Sequence, residues 1–334
     1  MGKSILLLTA LALVACGGGS DTPTPDKKPQ IAFVTNGVGP FWTIAAKGVE
    51  KAAKEFDADA EVQMPGEGVA DQKRIVQALL ARGIDGIAIS PIDPDNQTDL
   101  LNEAAANTNL ITHDSDAPGS NRLAFIGIDN YTAGRECGKL VKEALPDGGN
   151  ILITVGRLEQ LNARQRRQGV IDELLGRSFD PERRDPNSGA ISGDKYTILD
   201  TRTDQFDYAK AKAVVEDAIA KYPDLHGVVG LFAYNPPLAL EAIKEAGRLG
   251  DTKIIAFDEE DPTLQGIIDG HIYGTVVQNP YKYGYESVRI LAALKRGDRS
   301  VLPPGGVLDV PARQIRRDNV EAFWRELKQL TGAN

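Results

Sequence analysis

Apolar and polar positions along this chain follow two rhythms, and the switch between them recurs from residue 31 nearly to the C-terminus. Residues 31–56, IAFVTNGVGPFWTIAAKGVEKAAKEF, contain the first switch. Residues 31–35 are apolar or β-branched on both faces, which predicts a strand buried between two helix layers. Gly37, Gly39 and Pro40 then break the run. After the break Phe41, Ile44, Ala45, Val49, Ala52, Ala53 and Phe56 recur at helical spacing, with Lys47, Glu50, Lys51 and Lys54 on the other side. This is a βα unit whose turn lies at the carboxyl end of a strand.

The same alternation continues. Strands are predicted at 61–64, 86–90, 110–114 and 123–128, with helices at 70–82 and 95–107. A second series begins with a helix at 132–145 and a strand at 151–155, followed by helix 163–175, strand 196–200 and helix 206–221. It ends with strand 227–231, helix 238–246, strand 254–257, helix 263–268, strand 272–277 and helix 283–294. Residues 177–194 read as an irregular loop within it. Strands alternating with helices predict mostly parallel sheets. Two series of similar size, in 334 residues, predict two such units.

The strands share a second regularity, because several end in polar residues. Ser90 closes one; His113, Asp114, Ser115 and Asp116 follow another; Tyr234 and Asn235 follow a third; Asp258, Glu259 and Glu260 a fourth; Gln278 and Asn279 a fifth. Singly, each fits a helix cap or a turn. Together they line the sheet edge where open α/β folds hold ligands. A buried sugar needs acceptor-only carboxylates, donor-only guanidinium groups and two-way amides. Asp114, Asp258, Arg164 or Arg166, Asn36, Asn235 and Gln278 supply all three, and Phe41, Trp42 and Phe206 offer flat faces to a ring. Taken in isolation, Phe41 and Trp42 fit better as a staple of the start of their helix to the sheet.

Composition narrows the choice of partner. With 42% apolar and 25% charged residues the chain is of ordinary globular type, and a formal charge of −9 excludes a basic nucleic-acid-binding face. His113, His226 and His271 are far apart without metal-ligand spacing, and no nucleophile elbow, P-loop or GxGxxG motif occurs. Residues 1–16, MGKSILLLTALALVAC, carry one Lys, a short apolar run and small residues before Cys16, the pattern of a secretory signal too short to span a bilayer once processed. Residues 17–29, rich in Gly, Pro and Thr, read as a flexible tether.

Several motifs, in this order and spacing, carry a resemblance. They are GPFW (39–42), GIDGIAISPIDP (83–94), THDSDAP (112–118), GIDNYTAGR (127–135), NARQRRQG (162–169), YNPPLAL (234–240), AFDEEDPTLQGI (256–267) and GTVVQNPYKYG (274–284). Over about 29–314 the chain resembles the ribose-binding-protein group of type 1 periplasmic binding proteins, relatives of lactose-repressor ligand domains. The resemblance implies an α/β fold of two doubly wound, Rossmann-like lobes with mostly parallel sheets, joined by a three-stranded hinge. The lobes would be 29–128 with 279–308, and 129–278 with 309–334. It implies stacking by Phe41, Trp42 and Phe206, and polar contacts from Asp114, Ser115, Arg166 or Arg164, Asn235, Asp258 and Gln278. Gly39 and Ser115 stand where ribose binders of the group carry Asn and Arg, which points to another saccharide or a cyclitol, with Asn36 or Asp116 compensating.

The function so implied is a monomeric substrate-binding protein of a sugar ABC transporter, with no cofactor and no enzymatic activity. It would deliver a monosaccharide or polyol to a membrane permease. The 13–16 segment LVAC resembles a bacterial lipobox, implying a signal peptide at 1–15, a lipidated Cys16 with its tether at 16–28, and a protein held at the cell envelope or periplasm by that anchor alone. A sensor presenting its ligand to a membrane receptor or kinase is the alternative. A glycosidase pairing Asp114 with Asp258 would be recognised by the carboxylate separation, and a transcription regulator would need a helix-turn-helix before the first strand.

Overall fold

A computed structural model describes residues 27–332. The expected signal peptide, Cys16 and most of the tether lie outside these residues. The first five strands are β1 (Gln30–Val34), β2 (Asp59–Gln63), β3 (Gly86–Ile89), β4 (Asn109–His113) and β5 (Phe125–Gly127). Next come β6 (Gly149–Val155), β7 (Ile191–Ser192), β8 (Tyr196–Thr203), β9 (Leu225–Gly230), β10 (Lys253–Phe257) and β11 (Gly274–Val277), and last the short β12 (Val307–Asp309) and β13 (Arg313–Ile315). The helices are α1 (Pro40–Glu55), α2 (Val69–Ala81), α3 (Pro94–Asn107), α4 (Asn130–Ala144), α5 (Leu161–Leu174), α6 (Tyr208–Lys221), α7 (Asn235–Glu245), α8 (Asp261–Asp269), α9 (Pro280–Lys295) and α10 (Val320–Thr331).

Two sheets result, in the orders β12-β5-β4-β3-β1-β2 and β13-β11-β10-β9-β6-β8-β7. The first is wholly parallel. The second is parallel except for its two edge strands, β13 against β11 and β7 against β8. In each, the first strand of the series lies inside the sheet and the order reverses beside it, the switch point at which doubly wound folds open a crevice. The chain passes from the first sheet to the second between β5 and β6. It returns between β11 and α9, which packs on β1, β3 and β4, and crosses again between β12 and β13.

The strands read as continuous apolar runs because each buries both faces. Ile31 and Phe33 face the cluster under α1 and α9, while Ala32 and Val34 face the cluster under α2 and α3. In the second sheet Ile151, Ile153 and Val155 pack toward α4 and α5, and Leu152, Val228 and Ile254 toward the opposite helices. The same device brings both helix pairs close. A Cβ at Gly134 would stand 2.1 Å from the Arg166 carbonyl oxygen and one at Gly169 2.1 Å from that of Tyr131, so α4 and α5 meet backbone to backbone. Gly48 and Gly284 do the same for α1 and α9. These contacts fix the depth of the helices that carry Arg166 and Phe41.

Two local expectations change, and one element that was not predicted appears. Phe206 lies before α6 rather than in it, at φ 64°, because Gln205 and Phe206 both adopt a left-handed turn. Part of the 177–194 loop pairs with β8 as β7. The C-terminal segment forms α10, which buries Val320 and Phe323 against the second half of the molecule. Among the described residues no helix is long and apolar enough to cross a membrane.

Candidate functional site

The carboxyl ends of the strands in both sheets face a common cavity that is partly open to solvent. From the first half it is lined by Asn36, Val38, Phe41, Trp42 and Asp114, and from the second by Asn162, Arg166, Phe206, Phe232 and Asp258, among others. The two halves come into contact at its rim. A Cβ on Gly39 would lie 3.6 Å from the Tyr208 hydroxyl, and Arg164 of α5 pairs with Asp95 of α3 at 3.0 Å.

Asp114 and Asp258 occupy corresponding places, one residue beyond β4 and β10. Both have left-handed backbones, φ 56° and 66°, which cost a non-glycine residue on the order of 1–2 kcal/mol. Their N–H groups donate to Ile126 and Val276 carbonyls on neighbouring strands, holding each turn in place. The reversal turns each carboxyl off the strand into the cavity wall. Phe206, a third left-handed residue, is fixed by its N–H donating to Asp204 at 2.8 Å.

Arg166 lies between the two carboxylates, 1% exposed. Of a guanidinium's five N–H donors, three are committed: Nε to Asn130 at 2.8 Å, Nη1 to the Leu231 carbonyl at 3.3 Å and Nη2 to Asp114 at 3.4 Å. Nη1 is 3.9 Å from Asp258 Oδ2, and the guanidinium lies over the Phe257 ring at 4.2 Å. Asp114 is saturated, its Oδ2 accepting from Ser90 at 3.0 Å and from Asn36 and Asn162 at 3.1 Å each. The pair therefore bridges the two halves, since Asp114 follows a strand of the first sheet and α5 packs on the second.

Asp258 is less well served. Gln278 donates to its Oδ1 at 2.7 Å, but Oδ2 receives no hydrogen bond among the described residues. Burial pushes this carboxyl up to about 7 against the pull of Arg166, and pushes Asp114 in the same direction. Aromatic rings complete the walls. Phe41 meets Trp42 edge-on at 4.8 Å, and Trp42 abuts His113 at 5.6 Å, which in turn stacks on Phe33 at 3.9 Å. Opposite, Phe206 stacks on Phe232 at 5.5 Å and Tyr208 on Tyr234 at 4.8 Å. Phe41 and Trp42 thus belong to the core and line the cavity at once.

Seven sequence-predicted positions, Asn36, Phe41, Trp42, Asp114, Arg166, Phe206 and Asp258, line this cavity. Five others do not. Ser115 is buried with its hydroxyl unbonded. Asp116 is consumed by a two-pronged contact with Arg122 and a bond from Thr112. Arg164 faces away, toward Asp95. Asn235 lies behind the aromatic wall, donating to Asp204 at 2.8 Å. Gln278 supports Asp258 and accepts from the Tyr283 hydroxyl at 3.0 Å. Tyr234 and Glu260, expected at the ligand-bearing sheet edge but not named as contacts, also line it, whereas sequence reasoning missed Asn162, Phe232 and Tyr208. Asn162 stands four residues before Arg166, so a shared helix face was the available signal.

A pH dependence follows. A carboxyl raised from about 3.8 to about 7 by folding contributes stability that is complete below its ordinary range and is lost as pH rises through about 7. The stability of wild type relative to Asp258→Asn should therefore fall between pH 4 and pH 7 and level off above. Thermal melting across that range checks it, and a pH-independent difference would contradict the assignment.

Comparison with known proteins agrees with this geometry. The D-ribose/D-allose-binding protein of Pseudomonas aeruginosa is 23% identical over 92% of this chain and 97% of its own length. The xylitol-binding protein of Mycolicibacterium smegmatis is 26% identical over 93% and 83%. An ABC transporter solute-binding protein from Burkholderia graminis, solved in complex with D-arabinose, superposes with a TM-score of 0.78 at 26% identity, covering 88% of this chain and 96% of that one. These relatives are binding proteins rather than enzymes. The periplasmic binding protein domain itself matches residues 31–299, and the chain belongs to that family.

Proposed function

We propose that this protein is the substrate-binding component of a sugar importer, capturing a monosaccharide or related polyol in the cavity between its two halves. One observation carries the reading: a buried guanidinium from one half and a buried carboxylate from the other meet at a cavity walled on both sides by aromatic rings. Sugars present apolar ring faces to aromatics and hydroxyls that both donate and accept. Two uncommitted Arg166 N–H groups, Asp258 Oδ2 and the Asn36 side-chain carbonyl can meet such hydroxyls. The relatives named for ribose or allose and for xylitol, and the solute-binding protein solved with D-arabinose, support the ligand class.

Residues 29–128 with 279–308 and residues 129–278 with 309–334 would act as lobes that close on the ligand about their three crossovers. Exclusion of water then strengthens each polar contact. The partner in transport would be a membrane permease, and the protein would act as a monomer in the cell envelope, held there by lipid on Cys16.

Two measurements test this. Calorimetry against pentoses, hexoses and their polyols should detect a ligand, and Asp258→Ala should weaken it about ten- to a hundredfold, as loss of a charged hydrogen bond worth about 1.5–3 kcal/mol requires. Phe206→Ala should weaken it about tenfold. Wild-type affinity in both variants would put the site elsewhere. Separately, Cys16→Ala should release the protein from membranes in fractionated cells, whereas retention of that variant would refute lipid anchoring.

A further inference from the structure

The polar groups of the cavity do not balance. Its lining holds three carboxylates, Asp114, Asp258 and Glu260, but one guanidinium, Arg166, and neither Lys nor His. Asp114 is fully used by protein donors, and Arg166 is the cation nearest Asp258, 3.9 Å from an oxygen that accepts no hydrogen bond. The Glu260 side chain has no hydrogen bond or ion pair among the described residues, although it is half-buried where the cavity opens into a wider groove. Glu259, between Asp258 and Glu260 in sequence, is buried with one oxygen unbonded and lines the adjoining groove rather than this cavity, and the other nearby charges are engaged. Arg157 lies over the Phe206 ring at 5.0 Å and donates to Gln205, and Asp261 accepts from the Trp324 indole at 2.8 Å.

We propose that the ligand carries a positively charged amino group beside its hydroxyls, as an amino sugar or aminocyclitol does, and that Asp258 and Glu260 receive that group. This rests on the sugar-binding reading above and narrows it. A neutral ring would satisfy hydroxyl contacts but leave Glu260 with no ion-pair partner among the described residues and Asp258 with Arg166 alone, which Asp114 shares. An ammonium supplies three donors and a full charge to Asp258 Oδ2, which accepts no hydrogen bond, and to Glu260, which has neither hydrogen bond nor ion pair among the described residues. Tyr208, Tyr234 and Phe206 stand around the same region, and aromatic rings also attract an ammonium when it is drawn out of water. Burial raises the Glu260 carboxyl to about 7, as it does Asp258, so both groups gain from a cation's arrival.

The test is calorimetry at pH 7 with pairs that differ by one group: D-glucose and D-glucosamine, D-galactose and D-galactosamine, and myo-inositol and an amino-deoxy-inositol. Each amine is repeated as its uncharged N-acetyl derivative. In at least one pair the amine should bind about tenfold or more tightly than its neutral partner, with the advantage lost on acetylation. Glu260→Gln, with folding verified by thermal melting, should bring the amine-to-neutral affinity ratio down to about threefold or less. If neutral members bind and no amine exceeds its partner, the inference fails while the sugar reading stands. An advantage that survives Glu260→Gln overturns the assignment to that carboxylate. If no member of any pair binds, the inference fails, and the sugar reading then stands or falls on the pentose, hexose and polyol panel above.

Discussion

Burying Arg166 is the constraint on which the site depends. A guanidinium removed from water costs several kcal/mol unless its charge is matched and its donors are used. Here the match comes from both halves of the molecule: Asp114 follows a strand of the first sheet, while Asn130, the Leu231 carbonyl and Asp258 belong to the second. The arginine is therefore satisfied only when the halves are apposed. Any ligand that donates to Asp258 and accepts from the remaining guanidinium donors completes the same set, which couples its binding to the apposition.

The fold supplies that geometry with few devices. Two parallel sheets present their carboxyl ends to one cavity, and at each a single left-handed aspartate turns its carboxyl off the strand. Glycine pairs set α4 against α5 and α1 against α9 at backbone distance, so the helices bearing Arg166 and Phe41 have little freedom to shift. Strain in the turns and close packing in the helices work together. Residues held in this way lose little further entropy when a ligand arrives.

Much of this was legible in the sequence. Continuous apolar runs identified the buried strands, and polar residues at their ends identified Asp114 and Asp258. The choice between Arg164 and Arg166 was not legible, because two residues on a helix point to nearly opposite sides and only the packing of α5 decides which faces inward. Asp116, Asn235 and Gln278 had the right chemistry but were claimed by Arg122, Asp204 and Asp258 respectively, and pairings across 6 to 31 residues leave no local trace. Helix α10 did leave one, since Val320, Phe323, Trp324 and Leu327 have helical spacing. Phe206 was read as helical because its left-handed turn depends on Asp204 and on the Gly156 carbonyl that accepts from Gln205.

The central claim is that the site is assembled from two halves and that ligand holds them together. Small-angle X-ray scattering of the purified protein, alone and saturated with the sugar that calorimetry identifies, tests it directly. The account predicts a smaller radius of gyration in the saturated protein, with a scattering profile matching the apposed arrangement in which Arg166 reaches Asp114. Identical profiles with and without ligand would contradict it.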